Sequence, residues 1–133
     1  METDWTRDRD WGQVVYTKSR YFNGCKYCVF ISVESKKCTK YSVGVSSGKK
    51  RKHLDIFEEK DSKSSGGIAA LLWIKQMIYE FPKWYNENYI VIGKQYLIIG
   101  WADSKRRNVY SRLLNEGFVY MIEYNRKVLR KEL

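Results

Sequence analysis

A single histidine, a single proline and three cysteines in 133 residues remove several readings at the outset. His53 is the only imidazole and stands in a basic turn, so no Ser/His/Asp nucleophilic arrangement is readable. An odd, sparse set of cysteines does not make a disulfide scaffold and suits a reducing compartment, so the chain reads as intracellular and cytoplasmic. No apolar run approaches the roughly 20 residues that a membrane helix needs. The charged start METDWTRDRDW has no signal-peptide character, and no membrane partner is expected. Acids are scarce too. Lys and Arg number 25 against 15 Asp and Glu, a net charge of +10. That balance favours a polyanionic partner: nucleic acid, a phosphorylated cofactor or an acidic protein surface.

What is present belongs to a folded chain. Hydrophobic residues make up 44% and aromatics 16%, and the length suits one domain, residues 1–133, with its own core. Residues 1–11 read as a mobile or loosely docked end, and 13–16 as a short strand. After the turn signal Asn23-Gly24, Tyr27, Val29, Ile31 and Val33 alternate with Cys28, Phe30, Ser32 and Glu34, the period of a strand with one apolar face. Tyr41, Val43 and Val45 repeat the pattern, and Leu54 and Ile56 mark a further strand within residues 53–60. The stretch 64–72, SSGGIAALL, then sets a glycine pair before a strongly apolar helix over 68–81. The polar stripe of that helix is only Lys75, Gln76 and Glu80, so most of its circumference should be covered. Pro82 disfavours helical dihedrals at Phe81 and sets the expected stop there.

Residues 89–92 and 96–101 are strand-like, either as one hairpin or with the first piece irregular. Asp103 or Ser104 can cap a second helix to about Glu116, with Gly117 as its C-terminal glycine. Residues 118–124 and 127–133 read as a closing hairpin. The expected order is β-β-β-β-α-β-α-β-β: an α+β fold with a mixed, mostly antiparallel sheet covered by two helices.

Strand, glycine turn and buried helix aim free backbone N–H groups and a helix N-terminus at one spot. Ser64, Ser65, Gly66, Gly67, Ile68 and Ala69 are therefore a candidate anion site. Lys105, Arg106 and Arg107 crowd the first turn of the second helix, where the macrodipole prefers acids. They point either to a bound phosphate or polyphosphate or to a solvated basic face tempered by Asp103.

On these residues, positions 53–133 resemble the acetyl-coenzyme A-dependent N-acyltransferase (GNAT) superfamily. In that family a strand leads into a Gln/Arg-x-x-Gly-x-Gly/Ala loop that holds the cofactor pyrophosphate at a helix N-terminus. Residues 64–69 occupy that pattern, Leu71-Leu72 continue as the family helix does, and Asp103, Tyr110 and Gly117-Phe118 are similar to later landmarks. The resemblance implies a GNAT-like fold, acetyl-CoA as cofactor, and Asp103 among the cofactor-binding residues. It also implies attack by an amine on the thioester, with Glu58 or Glu59 as general base and Tyr110 protonating the leaving thiolate. Taken as residues alone, Glu58 and Glu59 are a solvated strand end, and Tyr110 a helix residue with a wet hydroxyl. Residues 1–25 are too few for the two helices that follow the family's first strand, so the resemblance also covers a non-catalytic relative.

Other readings stay open. Lys49, Lys50, Arg51, Lys52 and His53 form one basic turn and residues 105–107 another, with Tyr27, Phe30 and Tyr41 along the strands. Basic loops around a sheet that displays aromatics suit single-stranded DNA or RNA, bound without catalysis. A small adaptor or inhibitor docking an acidic protein surface fits the same charge. Cys25, Cys28, Cys38 and His53 have the composition of a zinc tetrahedron. Residues three apart in an extended strand point to opposite faces, however, so free thiols and no metal are expected. Glu34, Asp55 and Asp103 offer carboxylates for a hydrolase, with nothing in their spacing to select them.

Overall fold

Alternation of apolar and polar residues builds the first half of a sheet. The computed structural model describes residues 5–10, 12–47, 67–100, 116–123 and 125–133. Strands β1 (Thr6–Asp10), β2 (Gln13–Phe22), β3 (Cys25–Ser35) and β4 (Thr39–Ser47) form an antiparallel meander. Asn23 (φ 50°) and Gly24 (φ 75°) both take the left-handed conformation of a two-residue hairpin turn whose twist matches the strands it joins. Helix α1 (Gly67–Asn88) follows, then β5 (Gln95–Gly100), β6 (Val119–Glu123) and β7 (Arg126–Glu132). The strands make one seven-stranded sheet in the order β1-β2-β3-β4-β5-β7-β6, antiparallel except for the β4–β5 pair. The fold is mixed α+β.

One face of the sheet, with Tyr16, Tyr27, Ile31, Tyr41, Leu97 and Leu129 buried, packs under Ala70, Trp73, Ile74, Met77, Ile78 and Phe81 of α1. Burial of this kind is the main favourable term in folding. The helix departs from expectation in length. It passes through Pro82 to Asn88 instead of stopping at Phe81. A proline there removes one main-chain hydrogen bond and costs about 3 kcal/mol. That cost is offset by what the extension brings down onto the sheet: Trp84 and Tyr85 each pack edge-on against Tyr16, at 5.7 and 5.8 Å between centroids. Coverage is also narrower than expected, since Leu72 is 62% exposed.

At the N-terminus, β1 lies within the segment expected to be loosely docked, and the preceding Trp5 is buried edge-on against Phe81 at 4.8 Å. Residues 89–92 are irregular and 95–100 form the strand. The buried Thr39 hydroxyl donates to the Ile92 carbonyl at 2.9 Å and accepts from its N–H at 3.1 Å, so a side chain satisfies backbone groups that a ladder would otherwise take. The strand expected within 53–60 and the second helix expected over 103–116 lie outside the described residues. Among the described residues no helix is long and apolar enough to cross a membrane.

Candidate functional site

A helix joining two neighbouring parallel strands runs back along them, so its N-terminus lies level with their C-terminal ends. Ring contacts show that direction here. Phe81 and Tyr85, late in α1, pack on Tyr41 near the start of β4, each at 5.7 Å. Trp73, early in α1, packs at 5.9 Å on Phe22, which touches Tyr27, the β3 residue opposite Ser47 at the end of β4. The N–H groups of the first turn, beginning at Gly67, have no intrahelical acceptors, and no acid stands among them. That end of α1 carries partial positive charge.

At the same level the β4–β5 ladder ends among the described residues. It runs from Thr39–Gln95 to Val43–Ile99. Beyond it, among the described residues, Gly44, Val45, Ser46 and Ser47 of β4 pair with β3 alone and Gly100 of β5 with Val128 of β7 alone. The carboxyl ends of parallel strands are where open sheets admit ligands. A Cβ on Gly100 would lie 2.8 Å from Nη2 of Arg126, so the missing side chain lets a guanidinium rest against the backbone at this end.

Arg126 stands across from Glu123, but that carboxylate is taken by others. Lys40 donates to it at 3.0 Å and Arg130 at 3.4 Å, and Arg130 also stacks on Tyr96 at 4.5 Å. In a flat sheet three strand spacings and six residues of register would part Lys40 from Glu123 by roughly 20–25 Å. Their contact therefore coils this half of the sheet away from α1. Arg126 itself has no acidic partner among the described residues.

Of the residues singled out in the sequence, Gly67, Ile68 and Ala69 open α1, with Ala69 exposed. Ser64, Ser65, Gly66, Glu58, Glu59, Asp103, Tyr110, the basic turns Lys49, Lys50, Arg51, Lys52 and Lys105, Arg106, Arg107, and His53 and Asp55 lie outside the described residues. Gly100 and Arg126 were not singled out. Their one signal was a glycine ending an apolar strand run, the mark of a close backbone approach.

The display of strand aromatics is corrected. Tyr27 (2% exposed) and Tyr41 (0%) fill the core beneath α1 and offer no face to a base; Phe30 lies half-buried on the opposite face. Cys25 packs against the core while Cys28 points to the other face by strand parity, and no group of His, Cys, Asp or Glu that could hold a metal occurs among the described residues.

Titration of the aromatic cluster follows its burial. Tyr41 is pushed up to about 12 by desolvation, against a lowering hydrogen bond from Asn86, and its hydroxyl donates to Oε1 of Gln95 at 2.6 Å. Tyr16 is likewise raised to about 12, by burial first and then by its hydrogen bond with Tyr89. Burial raises Tyr85 as well. These phenols sit beneath the C-terminal half of α1, away from Gly67, and are structural. Near the other half, the ion pair with Glu116 raises Lys75 and ties residue 116 to the helix.

Comparison with protein-family models, curated proteins and solved structures gave no match.

Proposed function

We propose that the protein binds an elongated, phosphorylated cofactor of the acetyl-CoA kind where α1 begins above the ends of β4 and β5, as an N-acetyltransferase or a non-catalytic relative. The observation that carries this reading is that, among the described residues, the β4–β5 ladder ends at Val43–Ile99 beneath a helix N-terminus with no acid in its first turn. A pyrophosphate suits the N–H groups beginning at Gly67, which have no acceptor within the helix. The β4 edge from Gly44 to Ser47, which has no β5 partner among the described residues, suits an amide-bearing arm that hydrogen-bonds as a strand would. The net charge of +10 favours such an anion over a cationic ligand. In the catalytic form of this reading, Glu58 or Glu59 takes the amine proton and Tyr110 returns one to the thiolate. Asp103 and Lys105, Arg106 and Arg107 would then complete the cofactor site.

Thermal melting with CoA tests the reading. A ligand at a hundred times its Kd adds about 2.7 kcal/mol of stability, which for a domain of this size raises Tm by roughly 10 °C. The shift should vanish in Gly67→Leu while that variant still melts cooperatively. An unmoved Tm for the native chain with CoA would overturn the proposal. Salt-steep affinity for single-stranded DNA in that case would favour the nucleic-acid reading.

A further inference from the structure

The two edges of the sheet are built differently. β1 reads Thr-Arg-Asp-Arg-Asp, a row of alternating charge of the kind that discourages further pairing. β6, the opposite edge, reads Val-Tyr-Met-Ile-Glu, with Val119, Tyr120 and Ile122 exposed at 52%, 42% and 72%. Its one charge, Glu123, is turned inward to Lys40 and Arg130 and does not guard the edge. An edge strand also presents unpaired N–H and C=O groups, a template for one more strand. Immediately behind it, β7 reads RKVLRKE. Lys127 lies across from Ile122, on the face that carries Tyr120 and Ile122, whereas the guanidinium of Arg126 lies inward on Gly100 of β5. Lys127 is exposed, with no acidic partner among the described residues.

We propose that β6 is a docking edge for an extended acidic segment of another protein, which adds to the sheet as an outer strand. Apolar residues of the segment would cover Tyr120 and Ile122 on one face, and a carboxylate at the end beside Ile122 would meet Lys127 on that same face. Main-chain hydrogen bonds supply affinity in this mode and the alternating side chains supply selectivity. Charge chooses this occupant over a second copy of the chain. A partner that also carries +10 brings its own Lys127 to the same place, whereas an acidic strand neutralises it.

The test uses a fluorescein-labelled heptapeptide, Glu-Ser-Val-Ser-Val-Ser-Glu, which sets two valines and two glutamates on one strand face, and a twin with lysine for glutamate, read by fluorescence anisotropy. The acidic peptide should bind, more weakly as salt rises, and the lysine twin should not. Ile122→Glu, at a position open enough to leave the fold unchanged, should weaken binding about tenfold or more, as should Lys127→Glu. Thermal melts of these variants should match the native chain. Equal binding of both peptides, or none, would overturn the proposal. So would sedimentation showing a native dimer that Ile122→Glu makes monomeric, since a second copy would then hold the edge.

Discussion

Replacing Phe81 with alanine should remove a large part of the stability of the whole domain. Phe81 is 0% exposed, and its ring meets those of Trp5, Tyr16, Tyr41, Trp84 and Tyr85 at centroid distances of 4.8, 5.4, 5.7, 5.7 and 5.7 Å. It joins α1 to β2, β4 and the residue that leads into β1. Truncating a buried phenylalanine costs about 3–5 kcal/mol through lost transfer energy and the cavity left behind. Each aromatic pair contributes about 0.5–1.5 kcal/mol beyond area, so the upper half of that range is expected. A domain has only about 5–15 kcal/mol to lose, and 4–5 kcal/mol should lower Tm by roughly 15 °C. Urea unfolding followed by circular dichroism measures the loss, and hydrogen exchange should show the β1 amides opening first. Leu72→Ala is the control: that side chain, 62% exposed on the same helix, should cost no more than about 0.5 kcal/mol. The packing described would be refuted if Phe81→Ala cost less than about 1 kcal/mol, or if the two variants cost the same.

Thr39→Val keeps the shape of a fully buried side chain and deletes the hydroxyl that both donates to and accepts from Ile92. Leaving the part-buried Ile92 N–H and C=O without that partner should cost about 1–2 kcal/mol and speed amide exchange at Ile92; an unchanged urea midpoint would show that water takes the hydroxyl's place. Tyr16 and Tyr41 carry pKa values of about 12 in the folded chain, against about 10 when unfolded. The native state therefore keeps protons that the unfolded chain gives up. Their contribution is whole below pH 10 and declines as pH rises toward 12. Urea midpoints measured on either side of pH 10 should fall on the alkaline side, and a flat profile would mean that the two phenols are not buried as described.

Much of the local structure was legible in the residues. Period-two alternation marked β3 and β4, and Asn23-Gly24 marked the turn between β2 and β3, because a backbone with positive φ at two successive residues selects those side chains. The glycine pair placed the start of α1, since the apolar run that follows needs a helix to bury it on one side. The site was legible only as a possibility, a helix N-terminus without acids beside an excess of cations. What the sequence could not carry was anything set between distant segments. Pro82 reads locally as a stop, and only the rings of Tyr16 and Tyr41 across the sheet make the longer helix favourable. Thr-Arg-Asp-Arg-Asp has no apolar face of its own and becomes a strand because β2 offers it a ladder. The parallel pairing of β4 with β5, the insertion of β7 between β5 and β6, and the guanidinium of Arg126 lying on Gly100 are likewise non-local. Periodicity states which faces of an element are apolar. Which elements share those faces, and where a ladder must end, is decided only when the whole chain buries them together.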